Sequence, residues 1–181
     1  MEKKYIYVMV CDTHSMITKG IHLFVKNDTY FHSSISLDIG LKQMYSYGRK
    51  IPLFPIPGGF VHEAVNAGTF KHFRNTRALI MQVEVSQEGY QRAAELIRRM
   101  EENRKDYGYN YAGLLLASMG KVVSKKNRYY CSEFVREVLT VAGVLQEGEM
   151  DGIVRPMQFY ERFCDNTVYD GLLRDYCVPQ E

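Results

Sequence analysis

The chain has no tryptophan, only four cysteines and five prolines, and no apolar run long enough to cross a bilayer. Each scarcity closes off a class of protein. Cys11, Cys131, Cys164 and Cys177 are irregularly spaced and include no CxxC pair, so a disulfide framework is not expected and the thiols should be free. The five histidines form no HxxxH or HExxH spacing, which removes the common local zinc sites; no metal and no other cofactor is expected. A membrane helix needs roughly 18 consecutive apolar residues. The opening run, Tyr5 to Cys11, ends at Asp12 and His14 with no small-residue cleavage site behind it. It is read as a buried strand rather than a leader, and the protein as cytoplasmic, without integral membrane association. An excess of charge of one sign is missing too. Lysine and arginine number 23 against 21 acids, a formal charge of +2, which argues against a nucleic-acid partner.

What is present suits one ordinary domain spanning 1–181. A chain of 181 residues that is 46% hydrophobic can bury a sizeable core without staples. Strand character runs from Lys4 to Val10, and a second strand begins near Thr29. In the second, Phe31, Ile35 and Leu37 share one parity, while Tyr30, His32, Ser34 and Ser36 share the other, which places His32 on a polar face. Asp38-Ile39-Gly40 has turn chemistry and Gln43 to Gly48 resumes an extended pattern, so the two segments predict a hairpin. Pro52, Pro55, Pro57, Gly58 and Gly59 predict an irregular loop bordering a cleft, followed by a strand from Ala78 to Val85. From Gln87 the periodicity turns helical, with Tyr90, Ala93, Ala94, Leu96, Ile97 and Met100 on one face. A shorter helix is expected from Tyr111 to Met119. Another starts at Cys131, with Phe134, Val135, Val138, Leu139 and Ala142 at helical spacing and Gly143 as its cap. Pro156 opens a last short helix, and Thr167 to Leu173 returns as a strand. The fold class is α+β.

The chemistry concentrates on two residues. A thiol becomes a good nucleophile once ionised, and the unpaired amides and partial positive charge of a helix N-terminus favour the thiolate. Cys131 stands at such a start. A histidine nearby can take the thiol proton, pair with the thiolate and later protonate a leaving group; His32, on its polar strand face, is the candidate. The Cys131 amide could add to an oxyanion hole.

The block YYCSEFV opening an apolar helix, preceded far upstream by YFHSSISLD on a strand, resembles the circularly permuted NlpC-like papain-fold cysteine hydrolases, which include YiiX-like amidases and lecithin retinol acyltransferase relatives. The likeness covers the layout from Tyr5 to Gly143, with the specific matches confined to those two blocks. It implies a permuted papain-like fold, an antiparallel sheet or partial barrel packed against helices, with the histidine strand before the cysteine helix. It also implies acyl-transfer chemistry through a cysteine thioester, and a third polar residue on the strand after the histidine. A hairpin turning near Gly40 sets Gly48 opposite His32 and Ser46 diagonal to it on the same face, which makes Ser46 the third candidate; Tyr45 and Tyr47 stay open if the register slips. Asp38, six residues along its own extended strand, would lie about 20 Å away.

The function expected on this basis is a cysteine-dependent hydrolase that cleaves an amide bond in a cell-wall-type peptide or an acylated small amine. The rivals are a lipid-directed acyltransferase or thioesterase, and a catalytically silent binding module of the same fold. The corresponding partners are a small peptide, an amide or an acyl-lipid substrate. Cys11 is expected in the core, and His14, His22, His62 and His72 at turns or surfaces.

Overall fold

The computed structural model describes residues 3–14, 28–117 and 119–178. Its centre is a six-stranded antiparallel sheet. The strands are β1 (Lys4–Asp12), β2 (His32–Ser36), β3 (Met44–Ile51), β4 (Phe54–Glu63), β5 (Arg77–Val85) and β8 (Thr167–Leu172). Two short strands, β6 (Gly108–Tyr109) and β7 (Arg128–Tyr129), form a separate parallel pair. The helices are α1 (Gly68–His72), α2 (Gln87–Glu102), α3 (Tyr111–Ala117), α4 (Cys131–Val141) and α5 (Pro156–Phe163). The architecture is α+β, and the six strands lie in the order β4-β3-β2-β1-β5-β8.

The continuous apolar run of β1 is explained by its place inside the sheet, where both faces are covered. Ile6, Val8 and Val10 join Ile35, Tyr47, Phe60 and Met81 in a core packed against residues of α2, α4 and α5, such as Ile97, Phe134 and Phe159. Tyr7, Met9 and Cys11 point the other way, into a smaller cluster with Met44, Phe70, Ile80 and Leu173. Both faces being covered also alters the reading of β2: Ser34 and Ser36 are buried rather than wet. Each finds a partner, Ser34 in the Glu63 carboxylate and Ser36 in the Asp38 carbonyl, as most buried hydroxyls do.

The first hairpin is built by Asp38. Its carboxylate accepts from the Lys42 and Gln43 amides, closing a turn that brings Ile35 opposite Tyr45 and Ser36 opposite Met44. The stretch from Pro52 to Gly59 differs from the expected loop: only its first two residues turn, and the rest is the outer half of β4. Proline is tolerated there because β4 is an edge strand, where an amide facing solvent is not needed for the ladder.

Helix α2 starts at Ser86, whose hydroxyl accepts from the Gly89 amide, and buries Ala93, Leu96, Ile97 and Met100 as its periodicity predicts. Gly89 is where α2 meets the end of α4. A Cβ there would lie 2.2 Å from the Ala142 carbonyl oxygen, a backbone atom that cannot rotate aside. Helix propensity alone would favour Gly89→Ala by about 1 kcal/mol, whereas overpacking costs about 1–3 kcal/mol. The contact should win, and urea unfolding of Gly89→Ala should show a net loss of stability.

Candidate active site

Cys131 is the first residue of α4, entered from an extended Tyr130. The turn is held by Glu133, whose carboxylate accepts from the Tyr130 amide at 3.0 Å and from Asn110 Nδ2 at 3.2 Å. Asn110 in turn accepts from the Gly113 amide through Oδ1, so the starts of α3 and α4 are tied together. Gly113 is required here, since a Cβ would come 2.2 Å from Asn110 Nδ2. The thiol therefore sits among the unpaired first-turn amides of a rigidly anchored helix.

His32 is the first residue of β2, paired with Cys11 of β1. Continuing the Ile35–Tyr45 register places it opposite Gly48, and a Cβ on Gly48 would lie 3.6 Å from His32 Cε1. A methyl group there would meet the ring at ordinary van der Waals contact. Its Nε2 is 3.0 Å from Glu63 Oε1 and 3.3 Å from Ser34 Oγ, and Ser34 donates to the other Glu63 oxygen at 2.5 Å. With Nε2 committed to the carboxylate, Nδ1 is the nitrogen left for the thiol, and His32 and Cys131 line the same pocket, close enough to shift each other's ionisation.

The three groups set one another's charge. Burial disfavours the imidazolium, but the Glu63 charge and the hydrogen bonds to Cys131 and Glu63 outweigh it and raise His32 to about 10. Burial likewise opposes the thiolate, yet the His32 hydrogen bond and charge, helped by the Ser33 main chain and the Ser132 hydroxyl, bring Cys131 below the ordinary thiol value. Glu63 is also lowered: desolvation is overcome by the charge and hydrogen bond of His32 and by the hydroxyls of Ser34 and Ser46. Near neutral pH these shifts favour the imidazolium and the carboxylate, and they move the thiol beside them toward its thiolate form.

These groups line a pocket of about 140 Å³. Phe31, Tyr47, Tyr109 and Leu114 supply apolar walls, Pro55 and Tyr111 stand at its side, and Arg49 adds a cation. Burial and the neighbouring Cys131 push the Tyr109 phenol well up, so it stays protonated and able to donate. Arg49 is held over the Phe73 ring, 4.9 Å from its centroid. Thr13 also lines the pocket, and among the described residues its buried hydroxyl has no hydrogen-bond partner. Three comparisons, with protein-family models, curated proteins and solved structures, find no match to this chain.

Of the residues singled out in the sequence, Cys131 and His32 are brought to one pocket across more than half the chain. Ser46 lies on β3, paired with Val61, fully buried beside Glu63. Its hydroxyl helps hold that carboxylate ionised, but its oxygen reaches no partner at hydrogen-bonding geometry among the described residues, and the imidazole is held by Glu63 instead. Glu63 was missed. The signal for it was its isolation, as the lone acid between Asp38 and Glu84. Cys11 is buried in the core, and burial raises its thiol well above the ordinary value. Cys164 is half-buried and Cys177 exposed, both free thiols. His14 pairs with Asp12 at 2.7 Å, His62 stacks on Tyr45, and His72 is exposed; His22 lies outside the described residues. No group of three metal-ligating side chains occurs among the described residues.

Proposed function

We propose that the protein is a cysteine-dependent hydrolase of the permuted NlpC-like papain type, with Cys131 as nucleophile, His32 as acid and base, and Glu63 as the residue that orients His32. The observation that carries this reading is a helix-start thiol lining one pocket with an imidazole that is bonded to a buried carboxylate, on a histidine strand that precedes the cysteine helix. In the first half-reaction the Cys131 sulfur attacks the acyl carbon, and the carbonyl becomes an oxyanion facing the Cys131 amide and the Tyr109 hydroxyl. As the C–N bond breaks, the His32 imidazolium gives its proton to the departing amine, leaving a thioester and a neutral ring. In the second half, His32 takes a proton from water, the hydroxide adds to the thioester carbon, and the thiolate leaves as the acid forms. Glu63 keeps the ring in place and stabilises its positive charge throughout.

An amide in a small peptide or an acylated small amine is the substrate class we favour, because Arg49 in the pocket wall suits a carboxylate near the scissile bond. The apolar walls formed by Phe31, Tyr47 and Leu114 favour a second reading, thioester or ester hydrolysis on an acyl lipid, with the same intermediate. A panel of peptide amides, acylated amines and short acyl esters, quenched in acid and read by intact mass, tests both. The expected result is an acyl adduct mapped to Cys131, released by hydroxylamine and missing from Cys131→Ser. Absence of any adduct and of any turnover across the panel would favour a silent binding module.

A further inference from the structure

We infer that the β3–β4 hairpin tip and the adjoining face of α3 dock the protein onto an anionic lipid bilayer, with the mouth of the Cys131 pocket turned toward the membrane. Nine large hydrophobic side chains are exposed among the described residues, and all but Val178 fall in two segments beside that pocket. The hairpin contributes Ile51, Leu53, Phe54 and Ile56, the last three 63%, 59% and 66% exposed. Helix α3 and the residues after it contribute Tyr111, Leu115, Met119 and Val122. The two segments are joined: the Tyr111 hydroxyl accepts from the Gly58 amide and donates to the Pro55 carbonyl at 3.3 Å. Pro55, Tyr111 and Leu114 of these segments also line the pocket, so apolar surface runs from its wall to its rim. Scattered exposed leucines are ordinary, whereas a cluster of this kind marks a contact surface.

Charge selects the occupant. The chain as a whole is nearly balanced, yet residues 39–62 contain no acid and carry Lys42, Arg49 and Lys50, and residues 107–132 contain none and carry Lys121, Lys125, Lys126 and Arg128. The two stretches that hold the exposed apolar side chains thus carry seven cations and no acid, Lys42 lying just before β3 at the end away from the tip, and basic charge with exposed apolar groups is the combination that adds electrostatic attraction to interfacial insertion. A second copy of the same surface would set like charges against one another. Among the described residues no helix is long and apolar enough to cross a membrane, so the attachment is peripheral. The surface is separate from the chemistry at Cys131 and stands whichever acyl bond is cleaved.

The test is cosedimentation of the full chain with vesicles, one set containing phosphatidylglycerol and the other pure phosphatidylcholine, using Cys131→Ser as well as the parent so that binding is read without turnover. Both proteins should pellet with the anionic vesicles, bind the neutral ones at least tenfold more weakly, and be released by salt. Combined Leu53→Ser, Phe54→Ser and Ile56→Ser should abolish pelleting, and Lys121→Gln with Lys125→Gln should weaken it by about fivefold for each charge removed. Both variants change exposed side chains only, and unchanged melting temperatures would establish that they fold. Failure of the parent to pellet with anionic vesicles would overturn the inference, as would binding insensitive to both variants. So would a concentration-dependent dimer in solution that the serine variant dissolves, which would assign the surface to a second copy.

Discussion

With His32 replaced by Gln, alkylation of Cys131 at about pH 6 should slow by about two orders of magnitude, because an isolated thiol near pKa 8.5 is almost wholly protonated there. The parent protein should hold a larger thiolate fraction at that pH, since the interaction with His32 and its charge, against the cost of burial, bring Cys131 below its ordinary value. At alkaline pH both proteins hold a thiolate, so the difference should shrink toward unity as pH rises. The other cysteines provide controls in the same digest: Cys11 is buried with its thiol pushed up, and exposed Cys177 reports the reagent. Peptide mapping by mass spectrometry after brief iodoacetamide treatment reads all four sites. Equal labelling rates at Cys131 in parent and variant across pH would show that the histidine does not set the thiol's ionisation.

Glu63→Gln should lower turnover on any reactive substrate by about a hundredfold and narrow its pH profile from the alkaline side. Glutamine can keep a hydrogen bond to Nε2 but not the charge that, against the cost of burial, helps raise His32 to about 10. The alkaline limb should therefore move toward neutrality, a readout that simple loss of packing would not produce. Stability follows the same groups with definite signs. Glu63 is held below its ordinary value of 4.5, so its contribution is present above that pH and is lost as pH falls through the lowered value. His32 is raised from 6.5, so its contribution is complete below that pH and is lost as pH rises toward about 10. The pair thus supports the fold most between about pH 4.5 and 6.5 and less on either side. In Glu63→Gln, urea midpoints measured across pH should lose this dependence.

How far the site could be read from sequence depended on how local each determinant was. The β2–β3 register was legible because Asp38 and its turn fix it over a few residues, pairing Ile35 with Tyr45 and Ser36 with Met44 and leaving Gly48 near the His32 ring. Cys131 was legible from the apolar spacing of α4 behind it. Glu63 was not, because finding it required carrying the register through a second hairpin whose prolines and glycines suggested a loop. Proline at positions 55 and 57 disrupts no ladder when the strand lies at the sheet edge, and edge position is a property of the assembled sheet rather than of the segment. The burial of Ser34 and Ser36 was hidden for a related reason: period-two alternation assigns faces, but only the packing of Met44, Phe70 and Leu173 behind the sheet makes the second face dry.

The measurement that tests the account most directly is the thiolate absorbance of the free protein in an ultraviolet pH titration, taken as the difference between the parent and Cys131→Ser. The thiolate–imidazolium pair predicts a Cys131 transition clearly below the ordinary thiol range, shifted upward in both His32→Gln and Glu63→Gln. A single transition at or above about pH 8.5, unchanged by either substitution, would contradict it.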